Sequence, residues 1–222
     1  MNYYTVLTKT YTNLTFNKKE ILRYANCKST TPEIEMLLND CIDEINGNIS
    51  YKVCYCILPV TIIGNTIDFN AFKVNSEKLA LNLKNCERAI VFGATLGTEI
   101  DRLIMKYGKL SPTKALFFQA IGATMIETLC DEFSQEIKSE LSVNLKPRFS
   151  PGFGDLELTT QKDIFKVLDC SKKIGLTLNE SLLMSPSKSV TAFVGVKKGG
   201  AEEKSNKCKN CNKKDCSFRG EV

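Results

Sequence analysis

The feature that most constrains the fold is the segment from Pro112 to Leu141, the longest helical pattern in the chain. Leu129, Phe133, Ile137 and Leu141 recur every four residues, and Met125 extends the stripe. That spacing keeps side chains on one face of a helix. Such a stripe has to be buried against another layer. Ala120, Gly122 and Ala123 make one section unusually small, so something packs close there; the spacing predicts a crossing helix rather than a ligand.

The remaining segments supply the other layer. Tyr3 to Leu7 alternates weakly, as a strand would. Asn17-Lys18-Lys19-Glu20 is a capping-box pattern opening a helix through Tyr24. Thr31-Pro32-Glu33 starts another, to about Ile45, with Ile34, Leu37, Leu38, Cys41 and Ile45 on one face. Tyr51 to Val60 and Thr61 to Phe69 are β-branched and aromatic, broken by Pro59 and Gly64-Asn65, which suggests an antiparallel pair. Ser76 to Leu83 reads as a helix, Arg88 to Thr95 as a buried strand and Thr98 to Tyr107 as a helix. A helix follows from Thr159 to about Lys172, stopped by Gly175. Leu176 to Met184 and Val190 to Val196 are strand-like, separated by Ser185-Pro186-Ser187. The class is α+β, a mostly antiparallel twisted sheet flanked by helices.

Composition excludes several functions. The chain has 222 residues and no histidine. Ser–His and Cys–His nucleophile pairs and His-ligated metal sites are therefore ruled out. No run of about 18 uncharged apolar residues is present, so no membrane helix is expected. Met1-Asn2-Tyr3-Tyr4 lacks the look of a signal peptide, and a cytoplasmic location is expected. The net charge is +5, much of it beyond Lys197, so the body lacks the basic face a nucleic-acid partner needs. Gly93-Ala94-Thr95-Leu96-Gly97 joins a strand to a helix but is not G-x-G-x-x-G, and no nucleotide-phosphate site is expected there.

Chemistry concentrates in Arg148-Phe149-Ser150-Pro151-Gly152-Phe153-Gly154-Asp155. Pro147, Pro151 and two glycines forbid a regular helix. A guanidinium fork suits a carboxylate or phosphate. Glycine lets a ligand approach the backbone, and an aromatic offers a face to a flat ring or a sulfonium cation.

This stretch resembles the R-x-x-P-G-[YF] loop of the S-adenosylmethionine-binding activation domain of cobalamin-dependent methionine synthase. Ile164 to Asp169, Lys173 to Ser181, Met184-Ser185-Pro186 and Ser189-Val190-Thr191 are similar, in order and spacing, to the segment after that loop. Ala94 to Leu103 is similar to a segment of the short, free-standing members. The resemblance covers residues 76 to 196, and the N-terminal part more weakly. It implies that Arg148 faces the ligand carboxylate and that backbone groups around Ser150 and Gly152 bind the adenosyl part. Phe153 takes the place of the family's aromatic, more often tyrosine. Glu127 lies on the long helix where the family has an acidic residue near the positive part of the ligand. After the loop, Gly154-Asp155-Leu156 follows the short members, and a cysteine tail stands where the full domain has an aromatic segment. The implied organisation is an N-terminal α/β part (1–75), a core with the binding loop (76–196) and a flexible basic tail (197–222).

In the tail, Cys208-x-x-Cys211-x-x-x-x-Cys216 has metal-ligand spacing. Zinc and an iron–sulfur cluster both suit it, and the spacing does not choose between them. The other seven cysteines fall mostly in apolar runs and read as buried hydrophobes. With no histidine to ligate cobalt, any cobalamin is carried by a partner. The resemblance implies an activation subunit of a split methionine synthase, binding S-adenosylmethionine and serving a cobalamin-binding chain or another corrinoid protein, with an electron donor protein as a further partner. The alternative is a regulatory or redox adaptor of a corrinoid protein that does not use S-adenosylmethionine.

Overall fold

The computed structural model describes residues 4–27 and 29–197. The chain opens with β1 (Leu7–Tyr11), α1 (Lys18–Tyr24) and α2 (Pro32–Ile45). Both helices begin at the caps visible in the sequence. Asn17 Oδ1 accepts from the Glu20 N–H at 3.2 Å, and Thr31 Oγ1 from the Ile34 N–H at 3.4 Å. Each bond satisfies a donor that the first helical turn leaves orphaned. β1 begins where the expected strand ends. It is an edge strand with both faces partly exposed, so it carries little of the alternation that marks a half-buried strand.

Next come β2 (Tyr51–Pro59), β3 (Thr61–Ile63), β4 (Thr66–Asp68), β5 (Lys73–Asn75), α3 (Glu77–Asn82) and β6 (Arg88–Thr95). The expected pairing of 51–60 with 61–69 does not form. β2 is buried on both faces, and a strand of that kind takes neighbours on both sides. It pairs with β1 and β6, Lys52 opposite Thr95 and Pro59 opposite Arg88. The chain leaves the sheet after Pro59. Gly64, at φ +60°, then turns β3 back on β4 in a separate sheet of three strands.

The second half contains α4 (Glu99–Leu110), α5 (Pro112–Glu140), β7 (Asn144–Leu145), a 3-10 turn (Leu158–Thr160), α6 (Gln161–Leu168), α7 (Cys170–Ile174), β8 (Thr177–Leu178), β9 (Met184–Ser185) and β10 (Ser189–Lys197). The single helix expected to Lys172 is broken by Asp169, a non-glycine residue at φ +50°. The strand expected from Leu176 to Met184 is two short ones, β8 and β9, paired with each other.

The main sheet runs β1-β2-β6-β10-β7, with every neighbouring pair antiparallel. Strand alternation divides its side chains between two cores. Val53, Tyr55, Ile90, Phe92, Ala94, Ala192 and Val194 face one core, with α1, α2, α4 and α5. Cys54, Cys56, Leu58, Ala89, Val91 and Phe193 face the other, with α3, the three-stranded sheet, α6 and α7. Phe133 of the α5 stripe meets Tyr55 and Phe92 at ring-centroid distances of 5.1 Å. The close neighbour at Gly122 is not a helix. A Cβ there would lie 2.9 Å from Cγ, Cδ and Cε of Lys188, whose Nζ reaches Gln119 Oε1 at 2.6 Å. The small residue accommodates an aliphatic lysine stem. Among the described residues no helix is long and apolar enough to cross a membrane.

Candidate functional site

The Arg148 loop is an extension of the sheet edge. After β7, the chain keeps running beside β10. The Lys146 N–H donates to the Gly195 carbonyl at 2.8 Å, and Phe149 and Phe193 exchange two backbone bonds at 2.9 and 2.8 Å. This ladder alternates side chains between faces. Phe149 packs against the core that contains Phe193, while Arg148 meets α5. Its guanidinium donates to Glu127 Oε2 at 2.6 Å and to Asp131 Oδ1 at 2.7 Å. Glu127 and Asp131 are one helical turn apart and so share a face. The Arg148 side chain is 21% exposed, against 51% for Glu127 and 73% for Asp131.

Burial acts to weaken the charge of Arg148, and the carboxylates of Asp131 and Glu127 act against it, holding its pKa above the ordinary value. Cys130 lies beneath the clamp, its thiol pushed up to about 12 by burial.

Beyond Arg148 the loop tightens into a turn. The Phe153 N–H donates to the Ser150 carbonyl at 3.1 Å, the Gly152 N–H to Leu156 at 2.9 Å, and the Leu156 N–H back to Phe153 at 3.0 Å. Gly152 and Gly154 take φ values of +88° and +60°, a region that penalises any Cβ. At the far end, Asp155 binds the start of α3. It accepts from Ser76 Oγ and the Glu77 N–H at 2.6 Å each, and from the Lys78 N–H at 3.2 Å. These bonds, that to Ser76 foremost, hold the Asp155 carboxyl below its ordinary range. The loop is thus tied to α5 at one end and to α3 at the other. Phe153 sits at the tip between them, 61% exposed.

Of the residues the sequence singles out, the structure brings Arg148 and Glu127 into contact. It places Ser150, Gly152 and Phe153 in the adjoining turn. The backbone around Ser150 and Gly152 is where the adenosyl part is expected; there the Ser150 carbonyl and the Gly152 N–H bond within the loop. Cys208, Cys211 and Cys216 lie outside the described residues. Among the described residues no three metal-ligating side chains gather at one point. Asp131 joins Glu127 at the Arg148 guanidinium, and its spacing from Glu127 on an exposed helix face is the sequence signal for a paired acidic clamp. Asp155 had no local signal, because the partners it caps are 77 to 79 positions away. A polar groove of about 580 Å³ opens on the Asp155 side, lined among others by Lys73, Ser76, Thr160 and Lys162. None of Glu127, Arg148, Ser150, Gly152 and Phe153 lines it.

The chain is thus a curled antiparallel sheet with helices packed on it and a polar loop leaving its edge. The chain is similar to the solved MetH reactivation domain bound to AdoHcy, at 15% sequence identity and a TM-score of 0.66, over 90% of this chain and 80% of that one. No protein-family model and no curated protein matches the sequence. The likeness establishes the fold.

Proposed function

We propose that this chain binds S-adenosylmethionine at the Arg148 loop and acts as the activation subunit of a split cobalamin-dependent methionine synthase. In that role it supports reductive methylation of inactive cob(II)alamin carried by a partner protein. One observation carries the reading. On a fold shared with the MetH reactivation domain bound to AdoHcy, an arginine stands at the head of a loop tied at both ends, beside two solvent-facing carboxylates.

The residues present fit the ligand. A guanidinium has five N–H donors, and bonds to Glu127 and Asp131 leave capacity for a carboxylate. Glu127 and Asp131 provide negative charge for the amino and sulfonium groups. The exposed ring of Phe153 offers a face to a flat base or a cation. When bound, S-adenosylmethionine supplies an electrophilic methyl group. The chain's own residues orient it: Arg148 fixes the carboxylate end, the acidic pair fixes the cationic end, and the tied loop keeps these groups in place before binding. No proton transfer is asked of them, in keeping with a chain that has no histidine.

A second reading has its own support. The Arg148 guanidinium already bridges Glu127 and Asp131, which suits a structural clamp in an adaptor that docks on a corrinoid protein without S-adenosylmethionine. Titration calorimetry of the full chain with S-adenosylmethionine separates the two. Binding that Arg148→Ala weakens supports the activation subunit, and no heat at millimolar ligand supports the adaptor. Reconstitution tests the larger role. With a corrinoid partner and reductant present, loss of the cob(II)alamin spectrum should require both this chain and S-adenosylmethionine.

A further inference from the structure

Cys54 on β2 and Cys170 at the start of α7 are 116 positions apart, yet their sulfurs share a hydrogen bond at 3.7 Å. Both side chains are fully buried. Two features of the backbone place them together. Cys54 stands opposite Gly93 in the β2–β6 register. A Cβ at Gly93 would lie 3.1 Å from Cys170 Sγ and 3.6 Å from Cys54 Sγ, so the glycine leaves the space both sulfurs use. Asp169, at φ +50°, breaks the helical run so that a new helix starts at Cys170, against the sheet. Other buried thiols stand differently. Cys56 and Cys130 are each pushed up to about 12 by burial and stay protonated and inert.

We propose that Cys54 and Cys170 form a reversible dithiol–disulfide pair, which takes a small-molecule disulfide as its oxidant and closes a covalent bond between β2 and α7. The step runs by thiol–disulfide exchange. The Cys54 thiolate attacks one sulfur of the small disulfide. The disulfide bond breaks, one small thiolate leaves and takes up a proton, and Cys54 carries the mixed disulfide. Cys170 loses its proton and attacks Cys54 Sγ, forming the internal bond and releasing the second small thiol. The pair gives up two electrons and two protons, and the oxidant becomes two thiols.

Cys54 suits the attacking role. Its hydrogen bond with Cys170 holds its thiol below the ordinary range, against burial and with help from a backbone bond at Gly93. Cys170 is raised by the same hydrogen bond, by burial and by the charge on Cys54. Once Cys54 becomes a mixed disulfide that charge is gone, so Cys170 is easier to ionise for the second attack. Closing the bond takes the sulfurs from 3.7 Å to about 2.05 Å, the length of a disulfide. Access comes through α7. It has five residues and lies between two left-handed positions, Asp169 and Gly175. Cys170 and Ile174 of this segment are buried, so the exchange requires α7 to open locally while the sheet stays folded.

The test uses the full chain, reduced and then equilibrated with oxidised glutathione. Remaining thiols are blocked with N-ethylmaleimide in denaturant, and the protein is digested with trypsin without reductant. Peptides Val53–Lys73 and Val167–Lys172 should appear joined through Cys54 and Cys170, and dithiothreitol should separate them. The oxidised chain should also unfold at a higher temperature than the reduced chain, since a cross-link restricts the unfolded state. Cys170→Ala should remove that difference while leaving the tail cysteines in place. Alkylation of both cysteines after oxidation overturns the proposal. So does glutathione retained on Cys54, or a link through Cys56. Should Cys170→Ala not fold, the peptide map of the unaltered chain decides alone.

Discussion

Replacing Arg148 by alanine separates a ligand site from a structural clamp, because the two roles predict effects of different size on different quantities. Its partners Glu127 and Asp131 are 51% and 73% exposed. Losing the arginine therefore leaves no buried charge without a partner. An ion pair with solvent-facing partners contributes roughly 0.2–1 kcal/mol. Two such pairs come to about 1 kcal/mol. In a domain of this size that shifts Tm by roughly 2–4 °C. A charge-assisted hydrogen bond to a ligand carboxylate contributes about 1.5–3 kcal/mol, which is roughly a 10- to 150-fold change in Kd. Calorimetry with S-adenosylmethionine and a thermal scan on the same preparation read both. Arg148→Lys should fall between alanine and the parent, since it keeps the charge and loses the planar fork. Equal Kd for Arg148→Ala and the parent would refute the carboxylate role. A large fall in Tm with unchanged Kd would show that the arginine serves only to tie the loop to α5.

Four further outcomes are expected. Phe153→Ala should weaken S-adenosylmethionine binding in calorimetry with little change in Tm, because the ring is 61% exposed, whereas Phe153→Tyr should bind as well as the parent or slightly better. Gly154→Ala should lower stability to urea by roughly 1–2 kcal/mol, since its φ is +60° and the new Cβ would meet Lys78 Cδ at 2.5 Å, a flexible side chain that can swing aside. The Asp155 carboxyl is held below its ordinary value of 3.8 by Ser76 and two backbone N–H groups, so its contribution is fully present above that value and is lost as pH falls through the lower folded value; Asp155→Asn should flatten the fall of Tm with acid over that window, and an unchanged slope counts against the tie. Cys211→Ser should abolish metal retention if Cys208, Cys211 and Cys216 bind one centre, with elemental analysis of anaerobically purified protein distinguishing zinc from iron with labile sulfide.

Elements whose ends are marked by local chemistry were readable from the sequence. Asn17, Thr31 and Ser76 each cap a helix as their residue types require, and the apolar run closed by Thr95 fits β6. The long stripe is buried from Met125 to Ile137 as its period demands, but its last member, Leu141, caps the helix end and is exposed. What failed depended on partners far along the chain. Whether β2 pairs with β3 or β6 turns on burial of both its faces, and residues 51–69 alone do not show that. The break at Asp169 has no glycine or proline to announce it. Gly122 does mark a close approach, but of Lys188 in the turn before β10 and not of the crossing helix its small neighbours suggest. At the candidate site, Arg148, Glu127 and the glycines could be named in advance. The bonds from Arg148 to α5 cross 17 and 21 positions and form only once β7 has placed the loop beside β10.

That placement explains how a loop rich in glycine and proline can hold a fixed shape. A free loop of this composition would lose much conformational entropy on binding a ligand. Here the ordering comes from the fold. The backbone of Phe149 is bonded on both sides of its peptide to Phe193, in the middle of a buried strand. Its half-buried ring packs against the core that contains Phe69 and Phe193, which stack at 5.1 Å. One residue earlier the chain meets α5 through Arg148, and six residues later it meets α3 through Asp155. Between the ties Pro151 is buried, while Gly152, Phe153 and Gly154 are exposed, so the tip is short of freedom without being buried. Changes at the tip, such as Phe153→Ala, should therefore act on ligand affinity and spare stability. Changes at the ties, such as Asp155→Asn, should act on both, because a loosened tie returns to the loop the entropy that binding must then remove. A tip variant that unfolded the chain, or a tie variant that left affinity untouched, would show that the loop is ordered in some other way.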